Sequence, residues 1–179
     1  MKPVYDVLVI ARRLFCDLVF IGLPNPPRPG QEVFAQGMHA SAGGAFNVAA
    51  ALQRLGLRVG LVTDIGDDFF SRFVCEQLAS ERLDDSLVRW HKEPLATVTV
   101  ALPWNGDRAF VSYVESKAFP PFGPELLDHC QARHLHCSGL EEAIVELELL
   151  RAAQARGMTI SIDCQWHPQL MEQSSCYEV

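Results

Sequence analysis

Between Ser41 and Gly66 the chain reads SAGGAFNVAAALQRLGLRVGLVTDIG, and no other stretch narrows the fold so far. The glycine pair 43–44 gives a backbone from which nothing projects, free to approach a ligand closely or to take positive φ. Behind it, Asn47–Leu55 sets Val48, Ala51, Leu52 and Leu55 at helical spacing. Gly56 follows as a C′ stop, with Leu57 as the apolar contact that accompanies such stops. Val59–Thr63 then reads as a strand. A ligand held at Gly43–Gly44 meets the free N–H groups of a helix N-terminus, which suit anions and hydroxyl oxygens.

The flanks repeat the alternation of strand and helix. Tyr5–Ile10 (YDVLVI) is a buried first strand and Asp17–Leu23 a second, separated by the basic segment ARRLFC. The cluster PNPPRPG at 24–30 excludes helix. Gln31–Gln36 alternates and is predicted as a third strand with one wet face. Asp67–Ser80 is predicted as a helix, acidic in its first turn, with Phe70, Phe73, Val74 and Leu78 on one side. Ser86–Trp90 is a further strand. Thr97–Leu102 and Arg108–Val114 alternate strictly around Asn105-Gly106, the strongest short-range hairpin signal. Pro124–Cys130 is read as a short helix and Arg133–Ser138 as a strand. Leu140–Arg156 is read as one long helix through Ala143, Ile144, Leu147 and Leu150, stopping at Gly157, and Met158–Asp163 as a strand. The pattern predicts an α/β fold: a Rossmann-like, doubly wound, mainly parallel sheet. A smaller antiparallel sheet, from about 17–36 and 95–114, projects from it as a lid.

With 179 residues the chain has the length of one domain. Its net charge of −7, without a basic cluster beyond Arg12–Arg13, argues against a nucleic-acid or anionic-membrane surface. No apolar run is long enough to span a bilayer. MKPVYDVLVIARR lacks the parts of a secretory signal, so a cytoplasmic location is expected. The six cysteines are irregularly spaced and form no C-x-x-C, which suits buried thiols in a reducing compartment. His134 and His136 share a strand face, but Cys137 points the other way, and no metal site is predicted.

The stretch GGAFNVAAALQRLGLRVGLVTDIGDD resembles the first signature of the ribokinase (PfkB) family of carbohydrate kinases. Gly43, Gly44, Ala45, Asn47, Ala49, Gly56 and Gly66 fill its positions without a gap. PRPGQEV resembles the family's Pro-x-x-Gly-Glu stretch leading into the lid, with Gln31 where glutamate is usual. Asp17 falls where the family carries an aspartate after the first strand. The resemblance implies ATP-dependent phosphoryl transfer to a hydroxyl of a sugar or nucleoside, with Mg2+, and substrate contacts at Asp17, Gly43, Gly44 and Asn47. An aspartate accepts two sugar hydroxyls and an asparagine both donates and accepts. Each also has a plainer reading, Asp17 as a strand end and Asn47 as a helix cap. Phe110 on the lid either closes over the ligand or packs within the lid. Asp163 ends a parallel strand, where ligands of open α/β sheets gather, or is simply solvated there.

Some departures accompany the fit. Ala11–Arg12 replaces the usual glycine after the first strand, with one extra residue before Asp17, and Ser71 stands where a glycine is usual. The family's second signature, a Gly-Ala-Gly-Asp run that supplies the base, anion hole and nucleotide pocket, does not occur in these residues. The expectation is therefore an N-terminal part of a ribokinase-like domain, with substrate site and lid, no catalytic residue, and no activity alone. Two alternatives stand beside it: a non-catalytic sugar-binding or regulatory module, and a lid-mediated assembly protein with a vestigial site. A lid hairpin of this kind also invites homodimerisation. A phosphosugar would call for an arginine near the site, for which Arg108 and Arg12 are candidates.

Overall fold

A computed structural model describes residues 2–165, together with 170 and 172. In chain order its elements are β1 (Val4–Ile10), β2 (Phe15–Ile21), β3 (Gly37–Gly43), α1 (Ala45–Arg54), β4 (Val59–Val62) and β5 (Asp64–Ile65). There follow α2 (Phe69–Ser80), β6 (Arg89–Trp90), β7 (Thr97–Trp104), β8 (Asp107–Val114) and α3 (Leu126–His129). β9 (Gln131–Cys137), α4 (Leu140–Val145), α5 (Leu147–Ala155) and β10 (Thr159–Ile162) complete the set.

The strands form a parallel sheet in the order β10-β9-β1-β4 and a second sheet in the order β3-β2-β7-β8. β1 decides how the first is covered. Its alternate residues Val7 and Val9 enter a core with Phe46, Ala49 and Ala50 of α1 and Val74 and Leu78 of α2. Leu8 and Ile10 enter the other, with Leu135 of β9 and Leu149, Leu150 and Ala153 of α5. Both faces are dry, as a parallel sheet requires. The second sheet, the lid, is antiparallel at β2–β3 and β7–β8 and parallel between β2 and β7. Asn105 and Gly106 both take positive φ, 53° and 82°, the type I′ hairpin their sequence predicts.

The structure corrects three readings. Gln31–Gln36 is not a strand; the lid's outer strand is Gly37–Gly43 instead. Its residues GMHASAG are too small and mixed to show a hydrophobic alternation, yet Ala42 is buried against the core. The buried face of α1 is Ala45, Phe46, Ala49 and Ala50, whereas Ala51 is exposed and Leu55 is 78% exposed. Alanines on the inner face bring this helix close to the sheet. The predicted long helix breaks at Glu146 into α4 and α5. Glu146 is 1% exposed, and its two carboxylate oxygens accept from Phe122 N at 3.1 and 3.0 Å. Turning that carboxylate inward interrupts the helix.

Helix ends follow the sequence closely. Gly56 N–H bonds Gln53 O and Leu57 N–H bonds Leu52 O, the paired bonds of a Schellman stop. At α2 the cap is Asp68, which accepts from Phe70 N, Ser71 N, Ser71 Oγ and, from beyond the helix, Leu95 N. Burial by itself raises the Asp68 carboxyl, but these bonds outweigh it and hold the group below the usual carboxylate range. Such a group stabilises the fold above its unfolded pKa, and the contribution is lost as pH falls through the folded value. Asp68→Ala is therefore expected to cost about 1–2 kcal/mol at neutral pH. In urea unfolding followed by circular dichroism, the gap to wild type should hold above about pH 5 and narrow below pH 4.

Candidate functional site

The lid has two faces, and the sequence assigns them. Cys16 and Ala42 belong to the buried core, with Leu18 packed against it, so the residues between them on β2 and β3 project from the opposite face. That second face carries Asp17, with Ser41 opposite it on β3 and Thr99 opposite it on β7.

Asp17 and Gly43 fit each other. A Cβ built on Gly43 would overlap Asp17 Oδ2, so the carboxylate lies directly over a bare glycine backbone. Gly44 follows with φ 63° and ψ −133° and caps α1 without any side-chain hydrogen bond. The positive φ and the glycine requirement coincide there. The helix thus starts from exposed backbone. Asn47, one turn in, donates its N–H to Gly44 O at 3.1 Å, and its exposed side chain has no hydrogen-bond partner among the described residues. Because Gly44 caps the helix, the cap reading of Asn47 does not hold.

The Asp17 carboxylate is half-buried, and burial raises it above the usual range. No described residue bonds to it or pairs with it. A desolvated carboxylate without a partner is unfavourable for folding. It is also what a site for hydroxyl donors needs, since its acceptor capacity is unused.

The other predicted residues lie apart from these four. Phe110 is on the same lid face, opposite Ala101, and 57% exposed; it does not pack into a lid core. Asp163 follows β10 at the carboxyl end of the parallel sheet and is exposed. Its Oδ1 accepts from Gln165 N at 2.9 Å, a local turn. His134 and His136 are engaged by hydroxyls: His134 by Thr159 and Ser161, His136 by Ser161.

A charged cluster at the lid's root was not legible in the sequence. Asp64, 2% exposed, receives Arg89 Nε at 2.8 Å and Nη2 at 2.9 Å, pairs with His91 Nε2 at 2.7 Å, and has Arg13 Nη1 at 3.7 Å. Arg12 donates to Phe119 O and lies 3.6 Å from Glu146. Arg13 donates to Lys117 O at 2.7 Å and Arg89 Nη2 to Pro120 O at 3.0 Å. The one available signal was an aspartate inside the apolar run GLVTDIG.

The described residues do not fit a nucleotide triphosphate. The glycine backbone at 43–44 is faced by the Asp17 carboxylate, the N-terminus of α2 is closed by Asp68, and Arg12, Arg13 and Arg89 are spent on Asp64, Glu146 and main-chain carbonyls. Among the described residues no helix is long and apolar enough to cross a membrane.

Comparison with known proteins bears on what the site serves. Residues 19–177 match the family described as pfkB family carbohydrate kinase. A fructokinase of Rhizobium leguminosarum bv. trifolii is 30% identical over 159 residues, which are 82% of this chain and 45% of that protein. A 2-dehydro-3-deoxygluconokinase of Bacillus subtilis is 29% identical over 151 residues, 78% of this chain and 45% of that one. The chain thus spans about half the length of these curated relatives. Among solved structures, the fructokinase of Xylella fastidiosa with bound ATP superposes with a TM-score of 0.69 at 22% identity, covering 97% of this chain and 58% of that one. That likeness shows the fold.

The unpartnered carboxylate has a consequence for stability. An acid whose folded pKa is raised destabilises the fold above its unfolded pKa, and the penalty disappears as pH falls below it. Asp17→Asn should stabilise the chain by about 1 kcal/mol at pH 7, a rise in Tm of about 2–4 °C by calorimetry. That gain should vanish near pH 4.

Proposed function

Because the chain belongs to the pfkB family of carbohydrate kinases, we propose that Asp17, Gly43, Gly44 and Asn47 form the sugar-binding floor of an ATP-dependent carbohydrate kinase. The observation that carries this reading is the Asp17 carboxylate lying over Gly43 without a partner among the described residues. On this reading the carboxylate accepts two hydroxyls of the substrate, and the bare glycine backbone lets the ring approach. The amide of Asn47 both donates to and accepts from it. Phe110 closes over the ligand from the lid, and Asp163 lies at the cleft end of the parallel sheet.

The transfer step itself calls for a base, donors for the developing charge and a metal–nucleotide site. The phosphoryl donor would be ATP with Mg2+. Since the described residues offer no seat for either, and the chain holds no Gly-Ala-Gly-Asp run, these 179 residues act as the substrate half of such an enzyme. They bind sugar without turning over ATP.

The lid also has the character of a dimer surface. On the face that carries Leu18, Val111 and Tyr113 of the edge strand β8 are 64 and 54% exposed, an apolar pair where that sheet edge otherwise meets water. We place a second copy of the chain there.

Three measurements test these readings. Isothermal titration with D-fructose and D-ribose should show binding that Asp17→Ala and Asn47→Ala each weaken at least tenfold, and a coupled assay should detect no ADP release. Robust turnover would refute the division of labour; binding indifferent to both substitutions would refute the floor. Sedimentation equilibrium should show dimers that Val111→Glu converts to monomers.

A further inference from the structure

A cavity lies at the outer end of the lid, on the face turned away from Asp17. Along β7, Val100, Leu102 and Trp104 share the face of Leu18, and Leu102 and Trp104 pair with Ala109 and Asp107 of β8. The loop after β2 closes the space. Leu23, Pro26 and Pro27 enclose a cavity of about 290 Å³ together with Leu102, Trp104 and Ala109, room for a small molecule rather than a nucleotide. Trp104 Nε1 donates to Pro24 O at 3.3 Å. With its N–H spent there, the indole offers the cavity only carbon surface and π-electrons.

The uncommitted charge at this cavity is negative. Asp107 is the cross-strand partner of Trp104 and lines the cavity beside it. Its Oδ1 accepts from Arg108 N at 2.8 Å, and its Oδ2 has no partner among the described residues. Two arginines are near in sequence. Arg108 borders the cavity, but it pairs with Pro103 and so projects from the opposite face, where its guanidinium lies 5.7 Å from the Phe110 ring centroid. Arg28 follows Pro27 but does not line the cavity, and no ion pair among the described residues joins it to Asp107. An anion here would meet a carboxylate and the negative face of an aromatic ring. A compact cation meets both with the favourable sign, and its alkyl groups cover proline and leucine surface. The chain's net charge of −7 acts in the same direction.

We propose that this cavity binds a small organic cation, an alkylated or quaternary ammonium group on a short apolar body, with Trp104 supplying the π-surface and Asp107 the counter-charge. The site lies on the other face of the lid from the sugar floor and does not depend on it. Its occupant touches both the loop after β2 and the β7–β8 hairpin, two segments already joined by the Trp104–Pro24 bond.

Choline is the probe, and its control is the uncharged analogue in which a tert-butyl group replaces the trimethylammonium. In amide NMR spectra of the 179-residue chain, choline should give saturable shifts at the Trp104 indole N–H and at the amides of Asn105, Gly106 and Asp107. It should bind about fivefold or more tightly than the uncharged analogue. Trp104→Leu and Asp107→Asn should each weaken choline about fivefold, with unchanged circular dichroism spectra. Trp104→Phe keeps a ring while losing the bond to Pro24, and should retain most of the affinity. An uncharged analogue that binds as tightly as choline would reduce the site to an apolar cleft and overturn the proposal. So would D-fructose shifting these amides where choline does not, the mark of a carbohydrate platform. Absence of any saturable choline shift, or an affinity that Asp107→Asn leaves unchanged, would overturn it as well.

Discussion

The buried Asp64 carboxylate is the point to which the lid is fastened. An ionised carboxylate with 2% exposure is tolerable only when compensated, and its compensation comes from other segments of the chain. Arg13 stands on the stretch leading from β1 into β2; Arg89 and His91 stand on the stretch leading from α2 into β7. The donors left over on Arg13 and Arg89 take the carbonyls of Lys117 and Pro120, on the return from β8 to α3. His91 stacks on Phe119 at 3.8 Å. Three crossings between sheet and lid therefore meet at one charge. Removing Arg89, its bidentate partner, would leave the buried ion undercompensated, at a cost of about 3–5 kcal/mol.

That fastening fixes what the site can do, because Asp17 lies only four residues beyond Arg13. The strand leaving the cluster is held in register with Ser41 on one side and Thr99 on the other, so Asp17 arrives over Gly43 with little freedom. Glu146 plays a smaller version of the same part. It takes the N–H of Phe122 and faces Arg12, although burial raises its carboxyl above the usual range. The helix break at Glu146 follows from holding the segment after β8 in place.

Local signals in the sequence carried most of the fold. The alternation around the hairpin at 97–114, the Asn105-Gly106 turn, and the stops at Gly56 and Gly157 are all decided within a few residues, and each appears in the structure. The failures share a cause. Gly37–Gly43 is a strand because β2 offers it a partner, not because its own residues favour one. Glu146 breaks a helix because of Phe122, far away in sequence. The close approach over Gly43 and the positive φ of Gly44 were legible because glycine identity encodes a steric demand directly. The Asp64 cluster was not, since nothing in a sequence says that residues 13, 64, 89 and 91 converge.

Asp64 and Asp17 also show why one buried carboxylate reads as structural and the other as functional. Both are aspartates withdrawn from water, and both carry a desolvation cost. Asp64 recovers that cost inside the protein, through two guanidinium groups and an imidazole, and has nothing left to offer a ligand. Asp17 recovers none of it among the described residues: its oxygens rest against a glycine that can supply no side-chain donor. On the proposed reading, a molecule that brings hydroxyls to such a side chain would stabilise it, and the cost carried by the free fold would become affinity. Gly43 enforces the arrangement from below, since any side chain there would drive the carboxylate off its seat.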